Sequence, residues 1–157
     1  MDMDRRHLPL LLPDHHRRLD AQCQALLECA YVDDAPGLVQ RWRGLEPELL
    51  EHMAQEDEVI LADYAEVEPD DARRIRAEHT QLRALIAIVG ADIARGEVRC
   101  VWLRELASVL RNHARHEDKR MYPWAQRHLT QGTARSLFVR VCEWFGVMKN
   151  EDKMLVS

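Results

Sequence analysis

The stretch His113-Ala-Arg-His-Glu-Asp118 decides the fold. On a helix, His113 and Glu117 stand four apart on one face, so an imidazole and a carboxylate converge as a clamp for a cation. One H-x-x-x-E pair is weak, because such pairs are ordinary on solvated helix surfaces. This one has a counterpart upstream in His52-Met-Ala-Gln-Glu56-Asp57, again closed by an aspartate. Each leads into comparable text, Glu58-Val59-Ile60-Leu61 in the first case and Lys119-Arg120-Met121-Tyr122 in the second.

The repeat reaches further out. His16-Arg-Arg-Leu19 precedes the first pair by 36 residues, and His79-Thr-Gln-Leu82 precedes the second by 34. The chain therefore reads twice as H-x-x-L, then H-x-x-x-E. Duplicating a helical hairpin that carries half a metal site is a simple route to a two-metal centre.

Composition narrows the class. A chain of 157 residues fits one domain with a real core. Apolar and charged residues alternate without β-branched runs, which argues all-α. The net charge of −5, with Arg scattered rather than striped, argues against nucleic acid as a partner. No run approaches the ~18 apolar residues of a membrane span. Leu8 to Leu12 is too short and too proline-bounded for a signal segment, so a cytoplasmic location is expected. Cys23, Cys29, Cys100 and Cys142 show no C-x-x-C spacing, which suits reduced thiols.

The expected architecture is an up-down-up-down antiparallel four-helix bundle with an additional C-terminal helix. Residues 1–13 form a lead-in, 14–130 the bundle, and 131–157 a helix and tail packed on it. The first helix is expected from Asp14 to about Tyr31, with His16, Leu19, Cys23, Leu26 and Ala30 inward. A second runs over about 36–64, kinked or broken between Gly44 and Pro47. The third, about 70–95, carries Ala72, Ile75, His79, Leu82, Ile86, Val89 and Ile93 inward and stops at Gly96. The fourth, about 98–129, kinks at Pro123. Thr133 caps a fifth that ends near Met148, and the tail from Lys149 is frayed. With these ends, His16, His52, His79 and His113 all lie ~22–24 Å from the hairpin turns at one end of the bundle. Four inward imidazoles then share one level of the core.

Those four histidines, with Glu56 and Glu117, are the candidate metal ligands. Isolated buried carboxylates cost many kcal/mol, and no Lys or Arg lies on these stripes to offset them. Two metal ions do so. Imidazole and carboxylate without thiolate suit iron, manganese or zinc. Iron is favoured, and the spacing leaves the other two open. The two glutamates stand on opposed helices, placed to bridge a pair of ions with two histidines each. Less favoured as ligands are His15, His116 and Asp118. His16 is preferred to His15 because it shares the Leu19–Cys23 stripe. Asp57 and Asp118 read as solvated, Tyr64 and Tyr122 as packing residues, Cys23 as core, and the four tryptophans as anchors. His7 and His128 have no assigned role.

His16-x-x-Leu19, His52-x-x-x-Glu56, Glu78-His79-x-x-Leu82 and His113-x-x-His-Glu117 together resemble the hemerythrin-like, HHE cation-binding family. The resemblance covers about residues 14–130. It implies a four-helix bundle holding two non-haem iron ions, with His16, His52, His79 and His113 as ligands and Glu56 and Glu117 bridging. It also implies a small gas or oxidant (O2, NO or peroxide) as ligand, and an electron donor or an iron-centre protein as partner. The oxygen-carrying hemerythrins place H-x-x-x-H on the third helix. Here Ile75 and Arg83 flank His79, so the set is closer to the iron-centre-repair branch. Two functions are then open: a centre reacting with gases or oxidants in stress response or repair, or a module that binds O2 or NO without catalysis.

Overall fold

Asp34 opens the second helix of the chain by accepting a hydrogen bond from Gly37 N at 3.0 Å, with Pro36 in the first turn. Polar turns of this kind cut the chain into seven α-helices and one π-helical turn among the described residues. The computed structural model describes residues 3–146, with side chains from Leu11 onward. The helices are α1 (Met3–Tyr31), α2 (Ala35–Gln55), α3 (Leu61–Val67), α4 (Pro69–Arg95), α5 (Cys100–Lys119), α6 (Met121–His128) and α7 (Gln131–Trp144). The π-turn Glu56–Ile60 joins α2 to α3. All regular structure among the described residues is helical, the all-α class expected.

Four long helices form a ring of neighbours. α1 packs on α2 and α5, and α4 packs on α2 and α5. α7 lies along α1. The α4–α5 turn is closed by Asp92, whose Oδ2 accepts from Arg99 N and Nε at 3.2 and 2.9 Å. Two apolar clusters fill the interior. One contains Leu19, Leu49, Met53, Leu82, Ile86, Leu106 and Leu110. The other contains Leu12, Ile60, Ile75, Met121, Leu137 and Val141. On α1 and α4 the inward histidines lie between a member of one cluster and a member of the other, His16 between Leu12 and Leu19 and His79 between Ile75 and Leu82.

Four boundaries differ from expectation. α1 starts at Met3 and runs through Pro13, because proline's φ is already helical and the buried Leu12 anchors that turn. α2 runs unbroken through Gly44 and Pro47, held by Leu45 and Leu49, both fully buried. Its disruption comes instead at the π-turn, where Leu61 N–H bonds back to the Glu56 carbonyl. Instead of a kink at Pro123 within one helix, the chain breaks upstream at Arg120, since a proline ring clashes with the carbonyl four residues before it. α7 is capped by Thr130, which accepts from Thr133 N at 3.2 Å. The expected helix end near Met148 and the tail from Lys149 lie outside the described residues.

Two glycines test the turn and helix assignments in opposite directions. Gly96 ends α4 at φ 70°, where a Cβ is disfavoured. Gly96→Ala is expected to destabilise by about 1–2 kcal/mol. Gly44 lies inside α2, and no atom stands within 4 Å of the point a Cβ would occupy, so Gly44→Ala is expected to stabilise by about 0.5–1 kcal/mol. Denaturant melts of the two variants should shift in opposite senses.

Candidate metal centre

The H-x-x-L and H-x-x-x-E residues come from four different helices and the π-turn, and meet at one level between the apolar clusters. His16 Nε2 lies 3.2 Å from His52 Nε2, and His79 Nε2 lies 3.1 Å from His113 Nε2. Glu117 Oε1 lies 3.2 Å from His16 Nε2 and 3.0 Å from His113 Nε2. Glu56 Oε1 lies 2.9 Å from His52 Nε2 and 3.7 Å from His79 Nε2. Each carboxylate therefore touches one imidazole from each half. Two four-residue groups result, His16–His52–Glu56–Glu117 and Glu56–His79–His113–Glu117, sharing both glutamates. All six residues are at most 5% exposed.

The outer nitrogens of these imidazoles are held by a second ring of groups. His16 Nδ1–H donates to Asp118 Oδ1 at 3.0 Å and His79 Nδ1–H to Asp57 Oδ1 at 2.7 Å. His113 Nδ1–H donates to Glu78 Oε2 at 2.6 Å. His52 is different, because its Nδ1 meets His15 Nδ1 at 2.7 Å, and His15 Nε2 in turn donates to Glu48 Oε1 at 2.9 Å. Burial pushes His15 down to about 4 against the pull of Glu48, so it is a neutral acceptor for the His52 Nδ1–H. In every case Nδ1 carries the hydrogen, which leaves a bare Nε2 lone pair facing the centre.

That arrangement fits a cation. Four lone pairs and two carboxylates converge with no Lys, Arg or amide among them. Glu56 Oε1 and Glu117 Oε2 are buried without a hydrogen-bond partner. Donors bound at about 2.1 Å to one ion sit about 3 Å apart when adjacent, and the contacts above cluster near that spacing. Without a cation the lone pairs and carboxylates repel, and the chain compensates with protons. Burial opposes charge on His16, yet its bonds to Asp118 and Glu117 raise it to about 9. His79, beside Asp57 and Glu117, overcomes the same burial penalty and rises to about 9. For His113, Glu117 and Glu78 outweigh burial and the imidazole reaches about 10. Burial pushes the Glu117 carboxyl up, but His113, His16 and His79 hold it well below the usual range.

The family model described as the hemerythrin HHE cation binding domain matches residues 10–125. The chain belongs to this family. No curated protein and no solved structure matches the chain.

The remaining candidates stand apart from the donor cluster of this HHE domain. His15 faces Glu48 and the outer side of His52, and stacks on Trp144 of α7 at 4.5 Å. His116 bonds Glu78 at 2.9 Å and Asp71 Oδ1 at 2.8 Å. Asp118 is the acceptor for His16. Asp57 and Asp118 are thus hydrogen-bonded supports, contrary to their reading as solvated. Each H-x-x-x-E-D module gives its aspartate to a histidine of another helix. Arg83, four residues after His79, holds Asp57 Oδ2 at 2.6 Å. Tyr122 packs in the second apolar cluster as expected, and its hydroxyl in addition lies among the donors, 2.9 Å from His16 Nε2 and 3.2 Å from His52 Nε2. It donates to Glu56 Oε2 at 2.8 Å. The matched text after Glu56 and Glu117 was the available signal, since it aligns Leu61 with Tyr122.

The metal-free form carries a pH signature. An imidazole raised on folding stabilises fully below its ordinary 6.5, and that contribution is lost as pH rises through its folded value. With His16, His79 and His113 raised to about 9, 9 and 10, the metal-free protein should lose thermal stability between about pH 7 and 10. The metal-loaded protein should change less, because those nitrogens then hold no proton to lose. A flat metal-free melting profile over this range would contradict the proton compensation.

Proposed function

We propose that this domain holds two iron ions between its duplicated half-sites and reacts there with small gases or oxidants, O2, NO or peroxide. The observation that carries this is the pair of buried carboxylate oxygens that accept no hydrogen bond, Glu56 Oε1 and Glu117 Oε2, enclosed by four inward Nε2 atoms. His16 and His52 would hold one ion, His79 and His113 the other, and Glu56 and Glu117 both. When bound, the iron pair supplies one-electron chemistry and positions open to a small diatomic or peroxide.

The chain's own residues account for the rest. Asp57, Asp118, Glu78 and His15 fix the four rings and leave Nε2 free to ligate. Arg83 spans Asp57 rather than adding a nitrogen. The apolar clusters on both sides exclude bulk water, so charge within the centre is weakly screened. Free thiols Cys23, Cys29, Cys100 and Cys142 lie outside both donor groups, so the donor set is nitrogen and oxygen, as suits iron. His116, Asp118 and His15 are each engaged elsewhere and do not complete the ligand set. That favours a reactive centre over a saturated carrier.

Elemental analysis after anaerobic ferrous reconstitution should return two metal ions per chain, and a value near zero or one would sink the two-ion reading. His113→Ala should lose most of this metal. His116→Ala, which removes only a bond to Glu78 and Asp71, should retain it; equal losses would place His116 among the ligands.

Reactivity separates the two functional readings. The reduced, metal-loaded protein should oxidise rapidly in air to a stable form, and respond to NO and peroxide, when each is added separately and followed by optical spectrum. A spectrum that persists for hours in O2 and reverses on its removal would favour the binding module.

A further inference from the structure

The duplicated half-sites differ at one inward position. Aligning Glu56 with Glu117 pairs Leu61 with Tyr122, both buried. Leu61 has no donor atom. The Tyr122 hydroxyl lies within 3.5 Å of four donors: His16 Nε2 at 2.9 Å, His52 Nε2 at 3.2 Å, Glu56 Oε2 at 2.8 Å and Glu117 Oε1 at 3.5 Å. The same separations relate the imidazoles and carboxylates to one another, close to the ~3 Å edge expected between adjacent donors on one ion. All of these contacts are to the His16–His52 group or to the shared glutamates.

The backbone makes this placement specific. α5 ends at Lys119, and Arg120 leaves helical geometry at φ −125° and ψ −66° before α6 begins. That break re-aims Tyr122 relative to the Glu117 face. The phenol ring then stacks on His16, with centroids 5.1 Å apart and planes at 22°. A residue present only to fill space does not need its one polar atom among four metal donors.

We propose, resting on the two-ion reading above, that Tyr122 is a further protein ligand to the ion held by His16 and His52, so that the two metal positions are chemically unequal. On binding, the phenolic O–H bond breaks, the electron pair stays on oxygen, and the proton passes to bulk solvent. The His16–His52 position then has a protein oxygen that the His79–His113 position lacks. Exogenous small molecules are directed to the second position.

The test uses the 157-residue chain reconstituted with iron and oxidised. A tyrosine oxygen on ferric iron gives a visible charge-transfer band, with tyrosine ring vibrations enhanced in the resonance Raman spectrum excited within it. The wild-type protein should show both, and Tyr122→Phe should lose them while still binding iron, with one equivalent weakened at least about tenfold. The chain has three tyrosines, so Tyr31→Phe and Tyr64→Phe should each keep the band. That pair assigns it to Tyr122 by elimination even if Tyr122→Phe fails to fold. Two bound irons without the band, or a band that survives Tyr122→Phe, overturns the ligand assignment alone. A chain that takes up no iron overturns the metal-centre reading and the ligand assignment together.

Discussion

Glu56 and Glu117 carry two negative charges into a region where neither is more than 1% exposed. Moving a carboxylate out of water costs several kcal/mol even after relaxation, and far more without a compensating charge. The whole interior is arranged around that cost. Four imidazoles turn their Nε2 atoms towards the carboxylates, and three acids and His15 meet the opposite side of the imidazoles. Groups alternate outward from the two carboxylates: imidazole, supporting acid, then arginine at Arg83 for Asp57 and at Arg18 for Glu48. Breaking any one layer leaves its neighbours unpaired in a weakly screening medium, which is why buried polar networks fail as units rather than bond by bond.

The duplicated sequence builds this centre with crossed support. Each H-x-x-x-E-D module places its histidine and glutamate inward and sends its aspartate sideways to a histidine on an adjacent helix, Asp57 to His79 and Asp118 to His16. The residue preceding each H-x-x-L histidine plays the return role, Glu78 for His113 and His15 for His52. Two of these four bonds, Asp57 to His79 and Asp118 to His16, tie one hairpin to the other, and the other two tie the paired helices within each hairpin, so each of the four imidazoles is held from a helix or turn other than its own. The duplication is broken where Glu78 is matched by a neutral His15, and where Leu61 is matched by Tyr122. Imidazoles backed by a carboxylate are more basic than one backed by a neutral ring. The two half-sites are alike in their imidazoles and glutamates and unlike in electron supply.

Much of the donor cluster was legible in the sequence, because its residues obey helical periodicity on their own helices. His16 with Leu19, His79 with Ile75 and Leu82, and His113 with Leu110 and Glu117 each share an inward stripe, and counting residues back to the turns puts them at one level. The supporting ring was not legible. Asp57 and Asp118 each sit one residue past an inward glutamate, about 100° around the helix, where solvent is the default expectation for a single helix. Whether that direction meets water or a neighbouring helix depends on the rotation of the packed pair, which periodicity does not encode. The π-turn at Glu56–Ile60 is hidden for another reason, since it contains neither Pro nor Gly and no local residue marks it.

Both modules leave regular α-helical geometry immediately after their glutamate, one by the π-turn and the other by the break at Arg120. An uninterrupted helix would continue the same face, so the residue four beyond each glutamate would lie directly beneath it. Ile60 and Met121 occupy those positions and close the centre with apolar side chains, both fully buried. The distortion rotates the next residue of each module. After the π-turn it is Leu61 that is packed into the apolar cluster, whereas after Arg120 it is Tyr122, whose ring joins that cluster while its oxygen reaches back to the donors. The two departures from helical geometry thus leave hydrocarbon at position 61 and bring a polar atom to the donors at position 122. The Leu61–Tyr122 difference, like the His15–Glu78 one, becomes an asymmetry at the two positions where metal chemistry would take place.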